Sequence, residues 1–235
     1  MKLKSLLLIF SLFLSAAQAQ SVNTLTSAEK NSGWKLLFNG KNFNGWHNYN
    51  KKTVGQRWVI DKGAIKLNTG AEEGGDIVTD QVVAGDFEFK IDWKIAPYAN
   101  NGVFFFVSES PAFKSMYDTG LELQVIDNAV YKDEKKDNKH LAADFFGIMK
   151  ANNTTLKPVG KWNQFHVIHQ KNKLMVFLNG KKVQDINLKS PVWQQAVSKS
   201  FLKSAPFAKG KFQGNIGIQD WHSEVWYRNI KIRQL

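Results

Sequence analysis

The sequence predicts an all-β fold in which two antiparallel sheets form a sandwich. From Gly33 onward, short apolar or alternating runs are separated by Gly, Asn and Asp residues, and strong helix signals are confined to one segment. Such closely spaced short strands are typical of antiparallel sandwiches. The predicted strands are Trp34–Phe38, Trp58–Ile60, Ala64–Leu67, Asp76–Thr79, Phe87–Ile95, Gly102–Val107, Leu121–Ile126, Trp162–Gln170, Leu174–Leu178, Lys182–Ile186, Asn215–Gln219 and Val225–Ile232.

The most regular strand covers Phe87–Ile95, where apolar and charged residues alternate strictly, so one face packs on a core. Asn179 and Gly180 predict a tight hairpin between two later strands, because both residues tolerate positive φ. The one predicted helix, Pro191–Leu202, follows Ser190 as N-cap residue and has proline at its first position. We expect this helix to be an insertion on the β scaffold.

The composition limits the classes of protein that fit. The chain has 235 residues, of which 43% are hydrophobic and 22% charged, which is enough for one sizeable core. The absence of Cys excludes a disulfide scaffold, a zinc-finger array, an iron–sulfur protein and a cysteine nucleophile. No internal repeat and no Pro-, Gly- or Ser-rich linker divides the chain, so residues 33–235 are predicted to form a single domain.

Residues 1–19 have the pattern of a secretory signal peptide. Lys2 and Lys4 precede the apolar run Leu6–Leu14, and Ala17 and Ala19 supply the small residues of a cleavage site. The mature protein is therefore expected in the periplasm or outside the cell. No stretch reaches the roughly 20 apolar residues of a membrane span, so none is predicted. Residues 20–32 are polar and without period, and are predicted to be a flexible leader.

The charge distribution and the missing motifs argue against further classes of protein. The net charge is +12, but the lysines are scattered, and the densest charged run, Tyr131–Lys139, alternates in sign as a solvated loop does. Because no basic stripe or nucleic-acid motif is present, nucleic-acid binding is not expected. The sequence also lacks a Gly-x-Ser-x-Gly elbow, a phosphate loop, His-Glu-x-x-His and a dinucleotide fingerprint, which argues against serine hydrolases, kinases and dehydrogenases.

The predicted strand Leu121–Ile126 carries polar residues within an apolar segment. Glu122 and Gln124 fall on one face, which indicates a polar groove, although a solvent-exposed outer face gives the same pattern. Asp127 is out of phase with Glu122. The two carboxylates can therefore act as a pair only if a β-bulge re-aims one of them.

The histidines carry weaker signals. His140 stands where the charged loop returns to the sandwich, a position that catalytic groups favour but that a bystander can also occupy. His166 and His169 fall on opposite faces of one strand, so they are not expected to share a metal ion. His47 and His222 each neighbour a tryptophan, an arrangement found both in buried cores and in sugar sites.

Several short motifs occur together along the chain. They are the opening run Gly33–Trp46, the run Glu122–Asn128, His140, Trp162-Asn163, Leu178–Val183, Gly217–Asp220 and Val225–Ile232. Their order resembles the 3-keto-disaccharide hydrolase domain family, and the resemblance extends over Gly33–Leu235. It implies a concanavalin A-like jelly-roll sandwich of two antiparallel sheets, with a concave face that binds sugar.

The resemblance implies an exported bacterial enzyme that cleaves glycosides already oxidised to a ketone at C3. A base removes the acidified C2 proton, the leaving group departs from C1 by β-elimination, and water adds to the unsaturated sugar. The site must supply a base near C2, a donor near the C3 oxygen and an acid near the leaving oxygen. A sugar 3-dehydrogenase acting upstream would supply the substrate.

The resemblance also implies roles for individual residues. Glu122 or His140 is the base, Gln124 orients the sugar, and Asp127 holds His140 or contacts hydroxyl groups. A divalent metal that polarises the ketone is compatible with these side chains, and no other cofactor is implied. Further substrate contacts are implied for four residues: Asn128, Asp220, Trp221 and His222.

This chain departs from the family pattern at three positions. Where many members carry Arg, Tyr and His, it has Phe106, Phe146 and Trp221, which predicts a different substrate or a site that binds without cutting. A carbohydrate-binding module is therefore one alternative. A retaining glucanase on the same fold is another, but its two carboxylates must lie about 5 to 5.5 Å apart, and Gln124 replaces the central Asp of the glucanase motif.

Overall fold

The computed structural model describes residues 21–131 and 139–235, so the predicted signal peptide and most of the charged loop lie outside the described residues. No described helix is long and apolar enough to cross a membrane. In chain order the helices and strands are α1 (Ser27–Asn31), β1 (Lys35–Leu36), β2 (Trp46–Asn48), β3 (Trp58–Asp61), β4 (Ala64–Leu67), β5 (Ile77–Thr79), β6 (Val83–Ala84), β7 (Phe87–Ile95), β8 (Asn100–Val107), β9 (Leu121–Ile126), β10 (Asn163–Gln170), β11 (Lys173–Leu178), β12 (Lys181–Asn187), α2 (Pro191–Ser198), β13 (Gln213–Ile218) and β14 (Val225–Gln234).

The strands form two antiparallel sheets. In the larger sheet the order is β12-β11-β10-β7-β14-β4-β3, and β1 also pairs with β14. In the smaller sheet the order is β2-β5-β13-β8-β9, and β6 also pairs with β13. The predicted all-β sandwich of two antiparallel sheets is therefore confirmed.

The core lies between the two sheets and is centred on β7. This strand pairs with β10 on one side and β14 on the other, and its alternation places Phe87, Phe89, Ile91, Trp93 and Ile95 in the interior as predicted. The smaller sheet contributes the facing side chains, so that ring packing joins the two layers. The ring of Phe89, for example, meets that of Phe105 edge-on, with 5.4 Å between centroids.

A short chain of buried hydrogen bonds also joins the sheets. The Tyr227 hydroxyl on β14 donates to Asn101 Oδ1 on β8 at 2.6 Å. The Asn101 amide donates in turn to the carbonyl oxygen of Gln219, also at 2.6 Å. Because both side chains are fully buried, these bonds satisfy polar groups that would otherwise destabilise the core. They fix β8 and the end of β13 against the larger sheet.

The first helix differs from the sequence prediction, which assigned no regular structure to residues 20–32. Thr26 and Glu29 form a reciprocal capping box that starts α1. Glu29 also pairs with Lys231 of β14, which attaches the helix to the larger sheet. The capping-box spacing is present in the sequence and was the signal for this helix.

Smaller differences concern short elements and one helix end. The strands β2 and β6 contain three and two residues, too few to show a period, and were not predicted. The helix α2 ends at Ser198 rather than Leu202. The Ser200 hydroxyl accepts from the Leu202 amide and starts a separate 3₁₀ turn over Phe201–Ser204.

A bulge in β8 changes the direction of Phe106. The register between β8 and β13 shifts next to this residue, whose φ of 59° lies in the left-handed region. Its ring is buried in the interior, with its centroid 5.4 Å from that of His169 and 5.6 Å from that of Phe212. Phe106 is therefore a core residue.

The core assignment predicts a large cost for shortening Ile91. Replacing this fully buried side chain with alanine, Ile91→Ala, removes apolar contacts on β7 and should lower the free energy of unfolding by about 2–5 kcal/mol. Urea denaturation measures the change. The matched control is Val192→Ala, since Val192 is exposed on α2 and its truncation should change stability by less than about 0.5 kcal/mol. Equal effects of the two substitutions would contradict the assignment.

Candidate active site

The floor of the candidate site is the face of the smaller sheet that is turned away from the larger one. Glu122 and Gln124 of β9 lie on this face, as the alternation predicted. They are not solvent-exposed, because Glu122 is 3% exposed and Gln124 is fully buried. A segment beyond the charged loop covers β9, with the Phe146 amide bonded to the Glu122 carbonyl at 3.1 Å.

A glycine makes room for the Glu122 carboxyl. On the neighbouring strand β8, a Cβ atom at Gly102 would lie 2.3 Å from Glu122 Oε1. The Glu122 side chain therefore lies across Gly102, where any larger residue would displace it. This close approach points the carboxyl along the floor toward β13.

Aromatic side chains from four separate segments line a pocket of about 270 Å³ over this floor. Tyr117 and Phe146 stand in edge contact with 6.1 Å between centroids, and Phe201 stacks on Tyr117 at 4.3 Å. Trp221 is 57% exposed and stands at the rim. The lining residues are Asn100, Ser115, Tyr117, Glu122, Gln124, Tyr131, Phe146, Gln219 and Trp221.

The Glu122 carboxyl has no compensating partner. Among the described residues, no side chain or backbone group forms a hydrogen bond or an ion pair with it. Burial raises the pKa of Glu122 well above its usual range, and the nearby charge of Asp76 raises it further. The protonated form is thus strongly favoured, and the ionised form is a stronger base than an exposed carboxylate.

Gln124 presents an amide at the same floor. Its Nε2 donates to Asn100 Oδ1 at 2.6 Å, which fixes the orientation of the side chain. Its Oε1 is buried and has no hydrogen-bond partner in residues 21–131 and 139–235. A buried acceptor without a donor is costly, so a ligand hydroxyl that reaches this oxygen would be stabilised.

Tyr117 contributes a phenol that stays neutral. Burial, followed by the charges of Glu122 and other neighbouring groups, raises the pKa of Tyr117 to about 12. At physiological pH its hydroxyl is therefore a hydrogen-bond donor. Stacking on Phe201 holds the ring in the wall of the pocket.

The structure places His140 next to two aromatic residues of the pocket wall. Its ring centroid is 4.5 Å from that of Phe146 and 5.3 Å from that of Tyr131, and both of these residues line the pocket. His140 itself is not among the lining residues. It therefore supports the aromatic wall and adjoins the site.

Asp127 and Asn128 are placed away from Glu122. The register of β9 against β8 runs without a shift from Leu121 to Ile126, so the bulge needed to pair Asp127 with Glu122 is not present there. The Asp127 carboxylate instead accepts from the backbone amides of Tyr98 and Ala129, at 2.9 and 3.0 Å. Asn128 accepts from the Ala142 amide and stabilises the covering segment.

The end of β13 brings Asp220, Trp221 and His222 to the edge of the site. Asp220 is buried and forms an ion pair with Arg57 at 2.8 Å, so its role in the structure is to hold this turn. His222 adopts a φ of 50°, and its Nε2 lies 3.5 Å from the same guanidinium. Trp221 alone of the three lines the pocket.

Several residues of the site were not identified from the sequence. Tyr117 and Ser115 follow β8 in an irregular segment, and Asn100 and Gln219 stand at strand ends, where no period marks them. Asp76 precedes β5 and was assigned to a strand without a functional role. The pair Gly74-Gly75 before this aspartate was a signal of close backbone approach.

A metal site would need several His, Asp or Glu side chains close together. Within the described ranges, no group of three or more such side chains is arranged to hold a metal ion. Of the carboxyls in those ranges, Glu122 alone lines the pocket.

This geometry agrees with the comparison to known protein families. Residues 33–233 match the 3-keto-alpha-glucoside-1,2-lyase-like domain. The chain belongs to this family. The match confirms the resemblance that the sequence motifs indicated, and its limits agree with the start of the β sandwich after α1.

Relatives of known name or structure are similar over most of their length. A 3-keto-disaccharide hydrolase of Bacteroides thetaiotaomicron is 28% identical over 257 aligned positions, which cover 96% of this chain and 86% of that protein. A crystal structure from Parabacteroides distasonis, provisionally classed as a glycosyl hydrolase, is 29% identical with a TM-score of 0.81 over 92% of this chain and all of the other. A second from that organism, classed in the same way, is 26% identical with a TM-score of 0.66, over 86% of this chain and 99% of the other.

A more distant likeness concerns the fold alone. A Bacillus subtilis protein with a galectin-like fold is 14% identical, with a TM-score of 0.52 over 91% of this chain and 94% of the other. The jelly-roll sandwich is thus shared with proteins of very different sequence.

The burial of Glu122 predicts a specific pH dependence of stability. Its pKa in the folded state is raised above that of the unfolded state, so its contribution to stability is complete below the unfolded pKa of about 4.3 and is lost as the pH rises toward the folded pKa. In Glu122→Gln this loss is absent. The variant should therefore gain stability over the wild type as the pH rises above the unfolded pKa, by about 1.4 kcal/mol for each pH unit over which the folded wild type keeps its proton and the unfolded chain does not.

Thermal or urea unfolding across this pH range measures the difference. The control is Glu72→Gln, because Glu72 is exposed in a surface loop and its neutralisation should leave the pH dependence unchanged. Parallel curves for wild type and Glu122→Gln would show that the carboxyl is not held in its neutral form.

Proposed function

We propose that this protein is an exported enzyme that cleaves 3-keto-glycosides by β-elimination followed by addition of water. Family membership and the name of the Bacteroides relative support this class of substrate. The observation that carries the proposal is the single, uncompensated carboxyl of Glu122 in an aromatic pocket. Such an environment suits proton transfer to and from carbon.

In the proposed reaction, Glu122 in its ionised form removes the proton from C2, and the C2–H electron pair forms an enolate with oxygen at C3. The enolate then collapses, the C1–O bond breaks, and the leaving oxygen takes the proton held by Glu122. Water next adds across the C1–C2 double bond, with hydroxyl at C1 and hydrogen at C2. The sum is hydrolysis, with no glycosyl-enzyme intermediate and no change in oxidation state.

Tyr117 is proposed as the donor to the C3 oxygen. Negative charge develops on this oxygen in the transition state, and a neutral phenol held in a buried wall stabilises it without reorganising. The amides of Gln124 and Gln219 face the floor and are suited to sugar hydroxyl groups. Trp221 at the rim offers a flat apolar surface for the sugar ring.

His140 and Asp127 receive no direct proton-transfer role in this proposal. His140 packs behind Phe146 and supports the wall, and both carboxylate oxygens of Asp127 are engaged by backbone amides. A glucanase reaction would need a second carboxyl in the pocket at about 5 to 5.5 Å from Glu122. Asp127 does not supply it.

The substrate class has a consequence for the pathway. A 3-keto-glycoside is formed from a glycoside by removal of two electrons at C3, so a sugar 3-dehydrogenase must act upstream. Export of the chain, which the signal-peptide pattern predicts, would place this dehydrogenation in the same compartment or require uptake of its product.

The test of the proposal is to incubate the chain from Gln20 onward with a 3-keto-glucoside and with its unoxidised parent, and to measure release of the aglycone. Release from the keto compound alone is expected. Release from the parent would favour the glucanase alternative, and saccharide binding without release from either would favour a binding module. Loss of turnover on chelation would assign polarisation of the ketone to a divalent metal.

Two substitutions separate the proposed roles. Glu122→Gln should lower kcat by about 10²–10⁴-fold, because proton transfer at C2 loses its base. Tyr117→Phe keeps the ring and its stacking but removes the donor, and should lower kcat by about 10²–10³-fold with little effect on KM. Steady-state kinetics on the keto compound measures both.

The matched control is Tyr98→Phe, which removes the hydroxyl of an exposed tyrosine outside the pocket and should leave kcat and KM unchanged. If Glu122→Gln retained full activity, the assignment of the base would be wrong. If Tyr117→Phe did so, the C3 oxygen would have to be stabilised by another group.

A further inference from the structure

A second carboxyl, that of Asp76, faces the same floor from the opposite side. The pairing of β5 with β13 sets Ile77 opposite Ile218 and Val78 opposite Gly217, so the residue before Ile77 falls on the outer face next to Gln219. The backbone N–H of Gln219 donates to the backbone carbonyl oxygen of Gly102 at 3.0 Å.

The Glu122 carboxyl lies over Gly102, and Asp76 therefore stands across β13 from it. Neighbouring strands are about 4.8 Å apart, so the backbones of Glu122 on β9 and Asp76 before β5 are separated by three strand spacings. The Glu122 side chain reaches over Gly102 of β8, which shortens the separation of the two carboxyls to roughly two spacings. On this face Gln219 of β13 lies between them, and Asp76 stands outside the lining of the pocket. The arrangement brings together residues that are 46 positions apart in the chain.

The loop before β5 holds Asp76 in place without neutralising it. Asp76 Oδ1 accepts from the Asp220 amide at 2.9 Å. The cation nearby, Arg57, pairs with Asp220 instead, at 2.8 Å, and Asp220 also accepts from the Gly75 amide at 2.8 Å. Gly74 is required for this packing, because a Cβ atom there would lie 2.2 Å from Asp220 Oδ2.

Asp76 has no ion-pair partner among the described residues, and its ionised form acts on Glu122 as a like charge. Burial and the charge of Asp220 raise the pKa of Asp76 to about 6, while the Asp220 amide lowers it. Near neutral pH Asp76 is mostly ionised. Glu122, which is more deeply buried, then keeps its proton more firmly.

We propose that Asp76 is a positioning residue for the proton on Glu122: its negative charge, held across β13 by the Arg57–Asp220 pair, raises the proton affinity of Glu122 and so makes the ionised form of Glu122 a stronger base toward C2. This inference rests on the proposed function for its catalytic consequence. In many enzymes two carboxyl groups of one site have different pKa values because their environments differ. One of them is then protonated at a pH at which the other is ionised.

The sign of the effect follows from Coulomb's law. Neutralising Asp76 removes a like charge from Glu122, so Glu122 should release its proton at a lower pH. In Asp76→Asn the midpoint of the Glu122 titration is expected to move acidward by about one pH unit. In the pH profile of kcat/KM, the limb that reports ionisation of Glu122 should move in the same direction.

Other ionisable groups surround this pair and must be distinguished from it. Tyr117 and Tyr227 both have raised pKa values and remain neutral in the range of interest. Arg57 is permanently charged, and Asp220 is bound to it. Asp118 acts on Tyr117 through its charge, and Tyr131, His140 and His222 also adjoin the site.

The experiment follows the Glu122 carboxyl directly, by NMR of protein labelled with ¹³C at the glutamate side-chain carboxyl carbons. The Glu122 signal is identified by its absence in Glu122→Gln. The titration is recorded without substrate in wild type, Asp76→Asn and Asp76→Ser. The second variant keeps a hydroxyl acceptor for the Asp220 amide, in case the first does not fold. The control is Glu72→Gln, an exposed residue whose substitution changes the net charge by the same amount.

An acidward shift of about one pH unit in either Asp76 variant, and none in the control, supports the inference. A Glu122 midpoint that stays within about 0.3 pH unit of wild type in a folded variant overturns it. Because no substrate is used, this result is independent of turnover. The midpoint of the Glu122 titration could move although neither the wild type nor any variant releases an aglycone from the 3-keto-glucoside. In that case the proposed function is wrong, and the coupling of the two carboxyls is still supported.

Discussion

The burial of the Glu122 carboxyl without a partner is the constraint on which the candidate site depends. Moving an ionised carboxylate out of water costs several kcal/mol unless a cation or several donors compensate. Here none of the described residues does so, and the group remains in the fold because it keeps its proton. This requires walls that exclude water and a floor that does not rearrange. The aromatic rings of Tyr117, Phe146 and Phe201 supply the first, and the sandwich supplies the second.

The floor is rigid because the larger sheet holds it from below. Tyr227 and Asn101 connect β14, β8 and the end of β13 through two short buried hydrogen bonds, and the same strands carry Gly102 and Gln219 on the opposite face. A shift of β8 relative to β13 would break these bonds in the core. The position of the Glu122 carboxyl is thus tied to interactions on the far side of the sheet, which no pattern within β9 reveals.

What the sequence could predict follows from the range of the interactions involved. The strands β7 and β9 agree with prediction to the residue, because a period of two is a local property and Glu122 and Gln124 share a face for the same reason. Phe106 and Asp127 depend on registers set by partner strands. The bulge in β8 turns Phe106 into the core, and the regular register of β9 leaves Asp127 outside the pocket. Asp76 reaches the site only through pairing across β13.

The three departures from the family pattern differ in where they lie in the structure. Of the three positions, Phe106 is a core residue, while Phe146 and Trp221 line the pocket. An apolar ring at Phe146 in place of a hydroxyl makes the cavity drier, which strengthens every electrostatic interaction inside it, the repulsion between Asp76 and Glu122 included. Phe146 offers no hydroxyl from that wall, and the phenol next to it is that of Tyr117, the proposed donor to the C3 oxygen, which stands in edge contact with Phe146. The substitution therefore redistributes the polar groups of the site around the same buried carboxyl.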